Sequence, residues 1–408
     1  MTLSLLCLGS LVTPVNAAGA PYQVEPELSL TGDCSTNPFI DPVPDPPVAN
    51  CPAGQHPPSG RFSEPRSVAI DSYGNEYVAS YAFDGTKGRI DVFDDEGNFI
   101  TELLDPRGPH SIAVDSKGNL YVFEDAPGER EIVRYAPTVY EPLAGKIKYE
   151  NPRVLVAKTI VFEGGIAIDH SNDHVFIDLN NSIAEYSSAA EGNKFLNTIT
   201  HAKLKSSLWV AVDSQRRRLY ASYCKEAIFK CGVLVFNADA PYELLEEIDG
   251  SSVPAGKFVS AKGWLSTAVN EETGHFFVDD LEASERVYEF DEDFQYFATV
   301  ENEGFAGGNA LQIAVASNPL NKENRNFEYL FVPSPFGNRV LAFEPPLEQP
   351  PDVESLEATN IAETEAELRA MIDPEGGNTE YVIEIEGPGL EAPQIVAQGT
   401  IPGTALPQ

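Results

Sequence analysis

Short apolar runs recur along this chain at even intervals, each flanked by polar, turn-forming residues. The most regular run holds an Ala between two β-forming residues, usually with Asp next and a second apolar run close behind. Six copies can be read: SVAIDSYGNEYVAS from Ser67, SIAVDSKGNLYVFE from Ser111, GIAIDHSNDHVFID from Gly165, WVAVDSQRRRLYAS from Trp209, STAVNEETGHFFVD from Ser266 and QIAVASNPLNKENRNFEYLFV from Gln312. The repeated residues Ala69, Ala113, Ala167, Ala211, Ala268 and Ala314 lie 44, 54, 44, 57 and 46 residues apart. A period of about 50 residues marks a repeat architecture, in which each copy is one supersecondary unit.

Each copy carries a third apolar run that ends on an aromatic residue: Phe93, Tyr135, Tyr186, Phe236, Phe290 and Phe343. A weaker fourth run follows in most copies, as in FITELL from Phe99, YELLEEI from Tyr242 and FQYFATV from Phe294. Asp-Ser-Tyr-Gly-Asn, Asp-Ser-Lys-Gly-Asn and Asp-Glu-Gly-Asn lie between runs and supply residues that tolerate positive φ. The pattern predicts an all-β chain of short antiparallel four-stranded sheets. One such sheet has two apolar faces and cannot bury both. Packing six of them radially buries both faces and leaves only short edges. The small Ala then falls near the axis, and the aromatic falls where the sheets diverge. The fold class expected is a six-bladed β-propeller. Copy six runs into Glu-Pro-Pro after Phe343 and lacks a fourth strand, so YQVEPELSL from Tyr22 is expected to pair with it and close the ring.

The words Ser-Val-Ala-Ile-Asp, Gly-Asn-Leu-Tyr-Val and Arg-Ile-Asp-Val-Phe resemble those of the NHL-repeat propeller family. The resemblance covers about 22–345. It weakens in copies five and six, where Asn270 and Ala316 replace the Asp.

The remaining segments set the domain organisation. Residues 1–20 read as a signal peptide, with an apolar stretch from Leu3 to Val12 and Val15-Asn16-Ala17 as a small-residue cleavage site. Basic residues near Met1 are missing, so the true start is either upstream of or different from Met1. The alternative for this stretch is a buried strand. The propeller is assigned to 21–345 and a Pro-rich linker to 346–352. A partial β-sandwich module follows at 353–408. There Leu368, Ala370 and Ile372 alternate with polar residues, Asp373-Pro374-Glu375-Gly376-Gly377 turns the chain, and Tyr381, Ile383 and Ile385 alternate again. This stretch resembles the opening of a fibronectin type III or immunoglobulin-like module. Such a module needs about 100 residues, so the chain is expected to be a piece of a longer one.

The formal net charge is −36. That disfavours a nucleic-acid partner and an anionic membrane surface, because phosphate contacts require Lys and Arg. No apolar run reaches the roughly 20 residues of a membrane span. Without the leader, Cys34, Cys51, Cys224 and Cys231 remain. An even count in an exported chain suggests disulfides. Three pairings exist, and the local one, Cys34–Cys51 with Cys224–Cys231, is favoured.

Candidate chemistry lies where copies break the pattern. No His-Glu-x-x-His, Gly-x-Ser-x-Gly, phosphate loop or Cys-x-x-Cys occurs. By the family resemblance, the ligand face is built where strand one begins and where strands two and three join. The entry positions are Arg66, His110, Glu163 or Gly164, Trp209, Trp264 and Asn309. The second set includes Tyr81, Glu124, Asp125, Asp178, Tyr223, Asp279 and Asp280. Related propellers include zinc lyases built on several His, and only His110 holds such a position here. Others are calcium-dependent lactonases, and Glu163, Asp178, Asp279 and Asn309 carry oxygens suited to Ca2+. Trp209 and Trp264, with Tyr223, suit either sugar or peptide stacking or plain blade packing. His170 and His174 share one turn, read as a polar turn rather than a metal site.

The function expected is a secreted, monomeric, non-catalytic propeller that binds or scaffolds an extracellular protein, peptide or glycan. A calcium-dependent hydrolase or lyase of the lactonase type, with its site at the channel mouth, is the alternative. A structural component of the cell surface is a third reading.

Overall fold

The computed structural model describes residues 2–8, 22–26, 28–30, 62, 64–81, 88–105, 107–126, 129–156, 164–204, 207–225, 230–259, 265–281, 284–302, 305, 312–317, 324–335, 337–345, 352–359, 367–373, 379–386 and 394–401. The chain divides into two compact units, Gln23–Glu344 and a second made of Met1–Tyr22 with Pro345–Gln408.

The first unit is a six-bladed β-propeller. The turn residues read from the sequence separate its strands, and each apolar run becomes one strand. Blade 1 comprises Pro65–Ile70, Glu76–Ser80, Gly88–Phe93 and Phe99–Asp105, paired in that order. Blade 3 (Ile166–Asp169, His174–Asp178, Ile183–Tyr186, Phe195–Ile199), blade 4 (Ser207–Asp213, Arg218–Lys225, Lys230–Asn237, Leu244–Ile248) and blade 5 (Ser266–Val269, Phe276–Asp280, Arg286–Phe290, Tyr296–Glu301) follow the same order. Blade 2 has Pro109–Val114, Leu120–Ala126 and Glu129–Tyr135, but its fourth strand is Arg153–Val156. A separate hairpin, Pro137–Glu141 with Lys146–Tyr149, is inserted before that strand. The insertion accounts for the long spacing between Ala113 and Ala167.

Blade 6 has three strands of its own, Ala314–Val315, Leu330–Ser334 and Arg339–Glu344. Its fourth position is filled by Gln23–Val24, antiparallel to Glu344 and Phe343. Leu30 extends the pairing through reciprocal backbone bonds with Val340 at 2.9 and 2.8 Å. The two ends of the propeller sequence therefore share one sheet, and the edge of blade 6 is covered.

Packing follows the radial geometry. Ala69 of blade 1 packs with Ile112 and Val114 of blade 2, and Ala167 of blade 3 packs with Val210 and Val212 of blade 4. The repeated Ala thus faces the next blade beside the axis, where two sheets converge. The third-strand aromatics face the preceding blade further out. Phe93 meets Phe331 and Val340 of blade 6, and Phe236 meets Phe176 of blade 3. Phe290 stacks on Phe276 at 4.9 Å, and both pack with Tyr220 of blade 4.

The ring has two faces. The entry face is where first strands begin; the turn face carries the turns between first and second strands. On the turn face the repeated Asp caps its own turn. Asp71 accepts from the Tyr73 and Asn75 N–H groups at 2.8 and 3.0 Å, and Asp115 does the same for Lys117 and Asn119. Consecutive turns are then tied together. Tyr140 of the inserted hairpin donates to Asp71 at 3.0 Å, and Ser116 of blade 2 donates to Asp173 of blade 3 at 2.7 Å. The His170 N–H donates to Ser214 of blade 4 at 2.8 Å. Arg216 Nη1 reaches the Glu271 carbonyl of blade 5 at 3.0 Å. The Glu271 N–H donates to Ser317 of blade 6 at 2.9 Å, and Asn326 returns to the Gly74 carbonyl of blade 1 at 2.8 Å.

In the second unit Asp352–Thr359 pairs with Glu367–Asp373, and Thr379–Glu386 pairs with Gln394–Ile401. Thr2–Leu8, read from the sequence as part of a leader, forms a strand antiparallel to Thr379–Glu386.

Candidate functional site

The innermost strands turn one backbone edge toward the axis, where no sheet partner exists for their N–H and C=O groups. Such groups need partners when buried. Gln312 supplies several. Its backbone accepts from the Val68 N–H at 3.3 Å and donates to the Arg66 carbonyl at 3.1 Å, joining blade 6 to blade 1. Its side-chain amide crosses to blade 2. Oε1 accepts from the Ile112 N–H at 3.1 Å, and Nε2 donates to the Ile112 carbonyl at 2.8 Å. Ser67 and Ser111 also donate to Oε1, at 2.7 and 2.9 Å.

Ser67, Ser111, Gly165, Trp209, Ser266 and Gln312 all lie two residues before the repeated Ala, so this set is one ring of equivalent positions. Gln312 was not among the candidates read from the sequence; it stands at a position that three of the copies fill with Ser. The channel beneath, lined by Ala69, Ala113, Ala167, Ala211 and Ala268, has a volume of about 130 Å³. Small-molecule pockets run to roughly 300–1,000 Å³, so this channel is small by comparison.

A second set of equivalent positions lies eleven residues after the Ala: Ser80, Glu124, Asp178, Ser222 and Asp279. All are buried. Tyr135 donates to Glu124 at 2.9 Å, and Arg107 pairs with the same carboxylate. Asp178 accepts from the Asn180 N–H at 2.5 Å. Asp279 accepts from the Leu281 N–H at 2.9 Å and from Ser266 at 3.3 Å. Burial, reinforced by the neighbouring Asp280 charge, pushes the Asp279 carboxyl up to about 7. Asp178 and Asp279 occupy matching sites two blades apart. Among the described residues no three His, Cys, Asp or Glu side chains converge on a single metal position. Glu163, Trp264 and Asn309 lie outside the described residues, as do Cys34 and Cys51. Gly164 is described, and a side chain there would meet the Phe123 ring and the Asp178 carbonyl.

Arg66 and His110 form the most developed polar node of this face. They hold adjacent blades at equivalent positions and meet directly, Arg66 Nη1 to His110 Nε2 at 3.0 Å. Arg66 Nη2 bonds Glu64 at 2.8 Å. The guanidinium lies over the Tyr81 ring at 4.3 Å, and that ring packs edge-on against His110 at 4.8 Å. His110 is buried. Burial, with the charges of Arg66 and Arg130, pushes its imidazole down to about 3, so it is neutral at physiological pH. Its Nδ1 and the Arg66 Nε are buried with no partner. An unpaired buried donor costs about 1–3 kcal/mol. Arg130 pairs with Asp125 at 2.6 Å beside the node.

The other candidates serve packing or closure. Trp209 is 1% exposed and packs inside, with its indole N–H unpartnered. Of the two readings of this residue, stacking platform or blade packing, its burial fits blade packing. Tyr223 is buried and its hydroxyl donates to Glu247 at 2.5 Å. His170 lines the channel on the turn face. His174 bonds Glu185 at 2.8 Å, whereas the His170 Nδ1 is buried with no partner. Cys224 and Cys231 are bonded to each other, at directly opposed positions of the second and third strands of blade 4. A further cleft of about 570 Å³, lined by Leu103, Leu104, Arg107, Tyr135, Tyr149 and Pro152, lies beside the inserted hairpin.

No protein-family model and no curated protein matches the chain in sequence. Among solved structures it is similar to a gluconolactonase from Xanthomonas campestris, with 14% identity over 81% of this chain and 98% of that one, at a TM-score of 0.44. It is also similar to virginiamycin B lyase from Staphylococcus aureus, with 10% identity over 69% and 94% and a TM-score of 0.44. A third is the PQQ-bound aldose sugar dehydrogenase from Streptomyces coelicolor, with 14% identity over 81% and 99% and a TM-score of 0.47. Likenesses this distant carry nothing about activity.

Proposed function

We propose that this is a secreted NHL-type propeller, carrying a fibronectin type III or immunoglobulin-like module after it, that binds or scaffolds an extracellular protein, peptide or glycan without catalysis of its own. One observation supports the reading: Arg66 and His110, two residues that break the repeat, meet on the entry face. The turn face is engaged in tying blade to blade. The narrow channel supports recognition at the rim over chemistry at the axis. The Cys224–Cys231 bond suits an oxidising compartment, and the leader-like segment 1–20 suits export. Removal of that leader would delete the strand that pairs with Thr379–Glu386.

A second reading is a calcium-dependent hydrolase or lyase at the channel mouth. Asp178 and Asp279 favour it: they are buried, equivalently placed carboxylates, and the raised Asp279 is the state expected of a site awaiting positive charge. Metal analysis of the purified full chain decides between them. A stoichiometric divalent ion, lost on Asp279→Asn or Glu163→Ala, overturns the non-catalytic reading. Absence of bound metal, with melting unchanged by chelator and by added Ca2+, removes the hydrolase reading.

A further inference from the structure

The cleft beside the inserted hairpin, at about 570 Å³, falls within the roughly 300–1,000 Å³ of ligand pockets. Blade 1 contributes Leu103 and Leu104 from the end of its outer strand, and blade 2 contributes Tyr135, Tyr149 and Glu150. The walls are held from behind. Ile147 and Tyr149 of the hairpin pack in one core with Ile100 and Leu103 of blade 1. Tyr149 donates to the Tyr77 hydroxyl at 3.1 Å, and Tyr135 donates to Glu124 at 2.9 Å. Both hydroxyls are therefore engaged within the protein, and the rings offer the cleft apolar surface. Leu104 adds an aliphatic side chain that is 66% exposed. A glycan needs converging polar groups, whereas this lining rewards an apolar one. The charges select further. Arg107 also lines the cleft, but it is ion-paired to both Glu124 and Glu131. Glu150 is exposed beside it. Three carboxylates surround one guanidinium, which favours a cationic ligand over an anionic one.

We propose that this cleft docks a peptide segment of a partner protein, which inserts an apolar side chain against Leu104 and the two tyrosine rings and sets an adjoining Lys or Arg against Glu150. The net charge of −36 draws a basic segment to the chain as a whole, and the apolar cleft fixes where it settles. The site shares no residue with Arg66 and His110. It adds a second surface to the proposed binding role and stands whatever the entry face takes.

The test uses the full chain with leucine methyl groups labelled for NMR. The capped peptide acetyl-Ala-Leu-Arg-Ala-amide is titrated at constant ionic strength, beside one peptide with Gly for Leu and one with Glu for Arg. The Leu104 methyl resonances, identified by their loss in Leu104→Ser, should show a saturable shift with the first peptide. Removing the apolar anchor should weaken binding about tenfold or more. Reversing the peptide charge should weaken it about two- to fivefold, the worth of an exposed ion pair. Glu150→Lys should invert the preference between the Arg and Glu peptides. Leu104 and Glu150 are both exposed, so neither variant disturbs a core; should one fail to fold, the peptide contrasts in the unaltered protein decide alone. No saturable response overturns the proposal, and so does equal binding of the Gly peptide, which would mark general attraction of cations. A shift produced by N-acetylglucosamine instead of the peptide assigns the cleft to a glycan and also overturns it. A divalent ion at the channel mouth would sink the non-catalytic reading while leaving the peptide response intact, so the two failures are distinguishable.

Discussion

Replacing Gln312 by Leu removes the cross-channel amide at nearly constant volume. Four hydrogen bonds disappear: three accepted by Oε1, at 2.7, 2.9 and 3.1 Å, and one donated by Nε2 at 2.8 Å. Ser67 and Ser111 can rotate to other acceptors. The Ile112 N–H and C=O cannot, because the second strand of blade 2 lies on their other side. Leaving both unsatisfied costs about 1–3 kcal/mol each, so the expected loss is roughly 2–6 kcal/mol. Gln312→Ala should cost less, because the space it opens in the polar channel admits water to both groups. For a domain above 200 residues a change of 1 kcal/mol moves the melting temperature by about 2 °C. The Leu variant should therefore melt roughly 4–12 °C below the parent, and the Ala variant should fall between them. Calorimetry, with urea denaturation to check that the slope is unchanged, measures this. A Leu variant that melts with the parent, or above the Ala variant, refutes the account of Gln312 as the partner of the inner edge.

Arg217 bridges Asp169 of blade 3 and Asp239 of its own blade; because Asp169 is buried, Arg217→Ala should cost about 2–4 kcal/mol, and the loss should shrink in the Asp169→Asn background of a double-mutant cycle. Serines at both Cys224 and Cys231 should lower stability by about 2–3 kcal/mol through loop entropy, read as a lower urea midpoint, while an unchanged midpoint would show that the strand pairing alone suffices. Glu271 is pushed up to about 8 by burial and the Asp213 charge. The folded state then holds a proton the unfolded chain releases, so stability falls as pH rises from the unfolded carboxylate range through about 8. Glu271→Gln should be near-neutral at pH 5 and stabilising at pH 8.5, and a variant with the parent's pH profile would contradict the assignment.

The ring was legible because its cause is periodic. Ala beside the axis and an aromatic in the wedge are demands every blade makes, so they recur at every copy and survive the loss of Asp at Asn270 and Ala316. The closing strand was legible for a related reason: copy six lacked a fourth run and Tyr22–Leu30 offered one. What the pattern hid has no period. The hairpin 137–149 appeared only as an overlong spacing. Gln312 does its work across blades, where alternation along one strand says nothing. Trp209 stands at the ring position otherwise held by Ser, Gly or Gln, one residue beyond that of Arg66 and His110, and this register difference puts it among packed side chains. The carboxylates Glu124, Asp178 and Asp279 could be named from the sequence because they end the second strand in register. Whether charges converge depends on loops whose lengths vary from blade to blade.

Closure by Gln23–Val24 also sets the order of events during synthesis. The strand that completes blade 6 is made before any of the blades, and its partner Glu344 follows 321 residues later. At about 5–20 residues per second, that separation amounts to roughly 15–60 s of elongation. Through that interval the early strand has no native partner, and only the last blade can supply one.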